Sequence, residues 1–190
     1  EIVRKTGIPK ENIFIAATHT HSAPSSMPYG ILPVSPESEV KKFLSKASEA
    51  VVRAKKRAAR RRMFHGSTKE NRVSFVRRLW TKDGKVRMNW EAPDASSIDK
   101  ALGHPDPELQ VIRVGELDNP DGVLVHFALH PAILAGDNWL YSADFPGVLS
   151  ATLRKLFAKK DLVVILLNGC CGNVNHIDYR DPLQGRGYAM

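Results

Sequence analysis

Leu162 to Asp178 reads LVVILLNGCCGNVNHID: six apolar residues in a row, three of them β-branched, then an abrupt change to Gly, Asn and Cys. A short continuous apolar run of this composition predicts a strand buried on both faces, as in a sheet with helices over it. The residues before it, about Phe145 to Lys159, predict a helix, with Ser142 and Asp144 as its capping side chains. Helix followed by buried strand is an α/β signature. Further upstream, "LQVIRVGEL" and "GVLVHFALH" flank Asp118-Asn119-Pro120-Asp121-Gly122. "VSFVRRLW" and "KVRMNW" flank Lys82-Asp83-Gly84. Each pair predicts a hairpin, because Asp-Gly supplies the positive φ that tight turns require. Hairpins beside a helix-linked strand make the sheet mixed.

The N-terminal third carries two more elements. Glu1 to Gly7 predicts the tail of a helix, and "IFIAA", 13–17, a first strand. Ser35-Pro36-Glu37 opens a helix over roughly 36–62, with Val40, Phe43, Leu44, Ala47, Val51 and Ala54 at helical spacing. Residues 91–108, with three prolines, read as irregular. The expectation is a single α/β domain over 1–190: a mixed β-sheet with flanking helices.

Composition narrows the function classes. The 190 residues include 43% hydrophobic and 25% charged, ordinary for a globular protein, and no apolar run reaches the length of a membrane span. Net charge is +8, which permits an anionic membrane surface or nucleic acid as partner. The densest basic cluster, "RAKKRAARRR" at 53–62, closes the long predicted helix, where the macrodipole favours cations. No aromatics interleave with it for base stacking, so nucleic acid ranks behind the other readings. Cys170 and Cys171 are adjacent and cannot close the loop of a structural disulfide.

Chemically capable residues collect where predicted strands end. "IFIAA" runs into "THTHS", in which an extended backbone would set His19 and His21 on one face. The strand 122–129 runs into His130-Pro131, and 162–167 into "NGCCGNVNHID". Strand ends are where α/β sheets place their sites. His126 and His130 would be i and i+4 neighbours only on a helix; on a strand they stand roughly 13 Å apart, so His130 is the candidate and His126 a packed or surface residue. Metal ligation, acid/base work and a plain polar loop all fit two closely spaced histidines. The glycines of "GCCGN" read as a tight turn whose N–H groups also suit a developing oxyanion; a cysteine nucleophile is the competing reading.

Taken in order, "ATHTHS", "DPELQVIRV", "GVLVHFALHP", "DNWLYSADFPG" and "VVILLNGCCGNVN" resemble the neutral/alkaline ceramidase family over about residues 10–180. That resemblance implies a zinc-dependent amidohydrolase cleaving the N-acyl bond of a ceramide-like lipid. The family holds zinc with two histidines, a glutamate and a tyrosine. Its histidines match His19 and His130. His21 matches the histidine that stands beside the reacting centre. The family arginine matches Arg72 in "ENRVSF", with Arg77 and Arg78 as alternatives. Asn175 stands where the family has serine in Gly-Asp-Val-Ser, here Gly172-Asn173-Val174-Asn175. The reading therefore places the chemistry on metal-activated water, with Asn173 and Asn175 orienting substrate or water.

The resemblance further implies that the α/β domain over 1–190 is an incomplete portion of a larger, ceramidase-like catalytic domain. The glutamate and tyrosine ligands would lie after Met190, so the 190 residues alone would bind zinc weakly and show little turnover. Asp137, Asp144, His176 and Asp178 are the local substitutes. The apolar loop 27–34 would contact an acyl chain or pack on the long helix. The resemblance also points to a secreted or periplasmic location and permits membrane-surface contact. The rival classes are a catalytically silent homologue serving as a binding module and a basic nucleic-acid binder.

Overall fold

The computed structural model describes residues 1–25, 35–134 and 138–181. They group into two compact units, Glu1–Ala17 with Ala23–Arg60, and Thr18–Ser22 with the residues from Arg61 onward. The loop 27–34 and Asp137 lie outside the described residues.

In the first unit, α1 (Ile2–Thr6) ends at Gly7, whose φ of 68° is the left-handed cap expected of glycine there. A second helix, α2 (Glu37–Arg57), lies in contact with α1. It stops a turn after the last apolar position, Ala54, and not at 62. Beyond it, Arg61 and Arg62 are engaged with Asp121 and Glu116. The expected strand at 13–17 is absent: the segment has no ladder, and Phe14 and Ile15 are exposed. β-branched composition alone does not make a strand without a neighbour to pair with.

The second unit is built on four strands in the order β1 (Met63–Lys69), β6 (Glu108–Gly115), β7 (Pro120–Phe127) and β8 (Val163–Asn168). β1 and β7 run antiparallel to β6, and β8 runs parallel to β7. The sheet is mixed, with α3 (Phe145–Leu156) as the crossover helix. Val123, Val125, Leu162 and Leu166 form the core, packed against Phe145, Leu149 and Leu153 of α3. β8 is not buried on both faces: Val164 and Leu166 turn inward while Val163, Ile165 and Leu167 are exposed.

A smaller three-stranded sheet, β4-β3-β5, combines the Asp83-Gly84 hairpin, β3 (Arg78–Thr81) with β4 (Val86–Met88), and a strand missed in the proline-rich stretch, β5 (Ile98–Ala101). Finally, β2 (Phe75–Val76) pairs with β9 (Val174–Asn175). That short ladder ties the turn after β8 to the base of the hairpin. Among the described residues no helix is long and apolar enough to cross a membrane.

Candidate metal centre

Three histidines meet in the second unit. His19, His21 and His130 each offer a ring nitrogen, and these atoms all lie within 4.8 Å of one another. Ring centroids are 4.7 Å apart for His19 and His130, 4.9 Å for His21 and His130, and 5.3 Å for His19 and His21. Two imidazole nitrogens on a tetrahedral zinc stand roughly 3.3 Å apart, given Zn–N bonds of roughly 2.0–2.1 Å. Small side-chain adjustments close the cluster to that span. The residues fit a metal such as zinc: three imidazole nitrogens can occupy three positions and leave the fourth free.

Each imidazole is placed by a separate device. His130 follows β7, is 5% exposed, and has Nδ1 3.0 Å from the carbonyl of Cys171. A carbonyl only accepts, so Nδ1 carries the proton and Nε2 presents its lone pair to the cluster. Close packing makes that contact reachable. A Cβ at Gly169 would lie 3.2 Å from Ala128 N, Cα and Cβ, so glycine lets the end of β8 lie against the end of β7.

His21 Nε2 is 2.9 Å from His130 Nε2, and its backbone N–H donates to the carbonyl of Pro131. His19 has φ 64°, a left-handed conformation that costs energy for a residue with a Cβ and is common at functional loops. The two histidines thus do not share a face through strand alternation. A left-handed kink, together with the bond from Asn168 Nδ2 to the carbonyl of Thr18 at 3.0 Å, brings His19 to His130.

The electrostatics keep two of the rings neutral. Burial is the main reason the pKa of His21 lies below its ordinary value; repulsion from His130, His19 and Arg77 adds to it, and Asp144 opposes it. Burial likewise lowers His130, opposed by its bond to the Cys171 carbonyl. The Cys171 thiol is pushed up by burial, away from thiolate character.

The other sequence-predicted residues lie elsewhere or are engaged. Arg72 is bound to Glu70, Nε to Oε1 at 2.9 Å, and holds that carboxyl at a pKa of about 2. Its side chain is 86% exposed. Arg77, named from sequence only as an alternative, is the arginine whose charge both His21 and His130 feel. Its guanidinium lies 5.5 Å from the Trp90 ring, and its buried Nε has no hydrogen-bond partner among the described residues.

Asn173 accepts from Arg78 Nε at 2.6 Å and donates to the carbonyl of Leu102 at 2.8 Å. Asn175 is buried in a reciprocal amide pair with Asn89, at 2.7 and 2.8 Å. Both asparagines therefore hold the turn. Asp144 caps α3 through Phe145 N and also accepts from Leu134 N. Asp178 is paired with Arg180. His126, on β7, is outside the cluster, and its buried Nδ1 has no hydrogen-bond partner among the described residues. Asn168 and the Cys171 carbonyl were not singled out from sequence. Asn168 is the first polar residue after the apolar run, a position that could have flagged it; a backbone carbonyl leaves no such trace.

Two solved structures share this arrangement of strands. One is a structure titled as a ceramidase complexed with C2, at a TM-score of 0.60 and 21% identity, covering 92% of this chain and 28% of that one. The other is neutral ceramidase from Pseudomonas aeruginosa, at 0.52 and 20%, covering 76% of this chain and 22% of that one. The fold is similar to that of part of each of these ceramidase chains. At these identities the likeness concerns the fold, and the chain spans only 28% and 22% of the two ceramidase chains. No family model and no curated protein matches the sequence.

Proposed function

We propose that this chain carries part of the centre of a zinc-dependent amidohydrolase, acting on the N-acyl bond of a ceramide-like lipid amide. The observation that carries the reading is the cluster of three imidazoles, His19, His21 and His130, in a chain whose fold is similar to part of a ceramidase. A zinc ion held there supplies Lewis acidity that brings the pKa of water to about 7.

His19 and His130 hold the metal. His130 is pre-set by the Cys171 carbonyl, which fixes the tautomer whose Nε2 is free to bind. His21, whose neutral form burial favours, transfers protons beside the reacting centre. Arg77 supplies fixed positive charge where negative charge develops on the amide oxygen. Half-buried Cys171, its thiol pushed up by burial, has no part as nucleophile.

A second reading makes His21 the third ligand, and the common 4.8 Å reach of all three rings favours it. His21→Gln separates the two. Under the first, zinc affinity changes little while hydrolysis of a soluble N-acyl sphingosine analogue by an active, longer protein carrying this segment drops at least about 100-fold. Under the second, zinc affinity itself collapses. Protein purified without any bound zinc, and unable to take it up, would leave a silent homologue or a basic nucleic-acid binder in place of a hydrolase.

A further inference from the structure

Trp139, Leu140 and Tyr141 are 91%, 77% and 80% exposed, three consecutive large apolar side chains presented to solvent. They belong to the same unit as the histidine triad, and the backbone around them is fixed. Asn138 Nδ2 donates to Ser22 Oγ at 2.9 Å and to the carbonyl of Leu140 at 2.8 Å. Ser142 N donates to the carbonyl of Ser22 at 2.9 Å, and Thr20 Oγ1 to the carbonyl of Ser142 at 3.1 Å. Thr20 and Ser22 flank His21. The tripeptide is thus anchored to the residues either side of a triad histidine, with its side chains left outward.

Consecutive exposed apolar residues beside a site mark an interaction surface. The residue types select the partner. Trp and Tyr each join an apolar ring to a polar tip, the combination that favours a bilayer–water interface, and Leu between them adds purely apolar area. A net charge of +8 complements an anionic headgroup layer.

We propose that Trp139-Leu140-Tyr141 is an interfacial docking loop that seats this chain on an anionic lipid bilayer and sets the histidine triad at the membrane surface. The proposal rests on the lipid-amide reading for its purpose, although docking itself needs neither metal nor turnover.

The test is co-sedimentation of the full chain, metal-free, with phosphatidylcholine vesicles with and without phosphatidylglycerol, together with its tryptophan emission. Wild-type protein is expected to bind the anionic vesicles with a blue-shifted emission. Trp139→Phe should keep most of the binding and lose most of the shift, since Trp80 and Trp90 are the only other tryptophans. Leu140→Ser with Tyr141→Ser should bind at least about tenfold more weakly, with unchanged circular dichroism and unchanged zinc stoichiometry.

Folded wild-type protein that ignores the vesicles would overturn the proposal, as would a double variant that binds them as well as wild type. So would a concentration-dependent dimer that the double variant abolishes, which would assign the patch to a second copy. A failed zinc site with intact vesicle binding would reject the hydrolase reading and leave the loop's role standing.

Discussion

Gly169→Ala tests the packing that places His130. A Cβ at this position would stand 3.2 Å from three Ala128 atoms, two of them backbone. Backbone cannot rotate out of the way as a side-chain tip can, so the ends of β7 and β8 must part by a few tenths of an ångström. Overpacking of this kind costs about 1–3 kcal/mol, which for a chain of this size lowers Tm by about 2–12 °C. The same displacement stretches the bond between His130 Nδ1 and the Cys171 carbonyl, and loss of such an outer partner weakens metal binding by about 10–100-fold. Gly172→Ala is the control, because its added Cβ meets nothing within 4 Å, and a change within about 0.5 kcal/mol is expected. Thermal unfolding and zinc titration of both variants check the argument. Equal stability and equal zinc affinity in the two would refute the claim that close approach at Gly169 positions His130.

Arg77→Ala should abolish most hydrolysis of a lipid amide while Arg72→Ala leaves it near wild type, measured as kcat/KM on an active, longer protein carrying this segment; the reverse order would restore Arg72 to the site. Replacing Cys170 and Cys171 together by alanine should leave zinc affinity and turnover intact, because His130 is held by a backbone carbonyl that alanine retains; turnover lost with zinc binding intact would show a thiol at work. Metal-free protein should lose stability as pH falls below 6.5. Burial depresses His21, His130 and His176 below that value, so the unfolded chain binds more protons and stability falls as they are taken up. Urea unfolding at pH 7.5 and 5.5 in the presence of a chelator measures it, and His176→Gln should narrow the difference.

Much of the fold was legible because local signals and tertiary structure agree. Asp83-Gly84 makes a hairpin where its turn chemistry requires, Gly7 caps α1, and the β6–β7 hairpin forms as expected, although its turn is 116–119 with the positive φ at Gly115 and Asp121-Gly122 lies within β7. The sequence misled where pairing decides. Ile13 to Ala17 has strand composition but no partner, whereas Met63–Lys69 and Ile98–Ala101, with weak strand composition, are recruited by β6 and β3. β8 lies at the edge of the sheet among the described residues, so its apolar run is covered on one face only. At the site, motif order brought His19, His21 and His130 to notice, but not the left-handed backbone of His19 or the carbonyl that orients His130. Arg72 and Arg77 could not be ranked from spacing, since only the fold shows that Arg72 closes on Glu70.

The central claim is that His19 and His130 share one metal ion. Calorimetric titration of zinc into the chain, against His19→Ala with His130→Ala, tests it most directly. The account predicts one zinc per wild-type chain and no binding at that site in the double variant, with circular dichroism unchanged. Equal stoichiometry and affinity in the two proteins would place the metal elsewhere and contradict it.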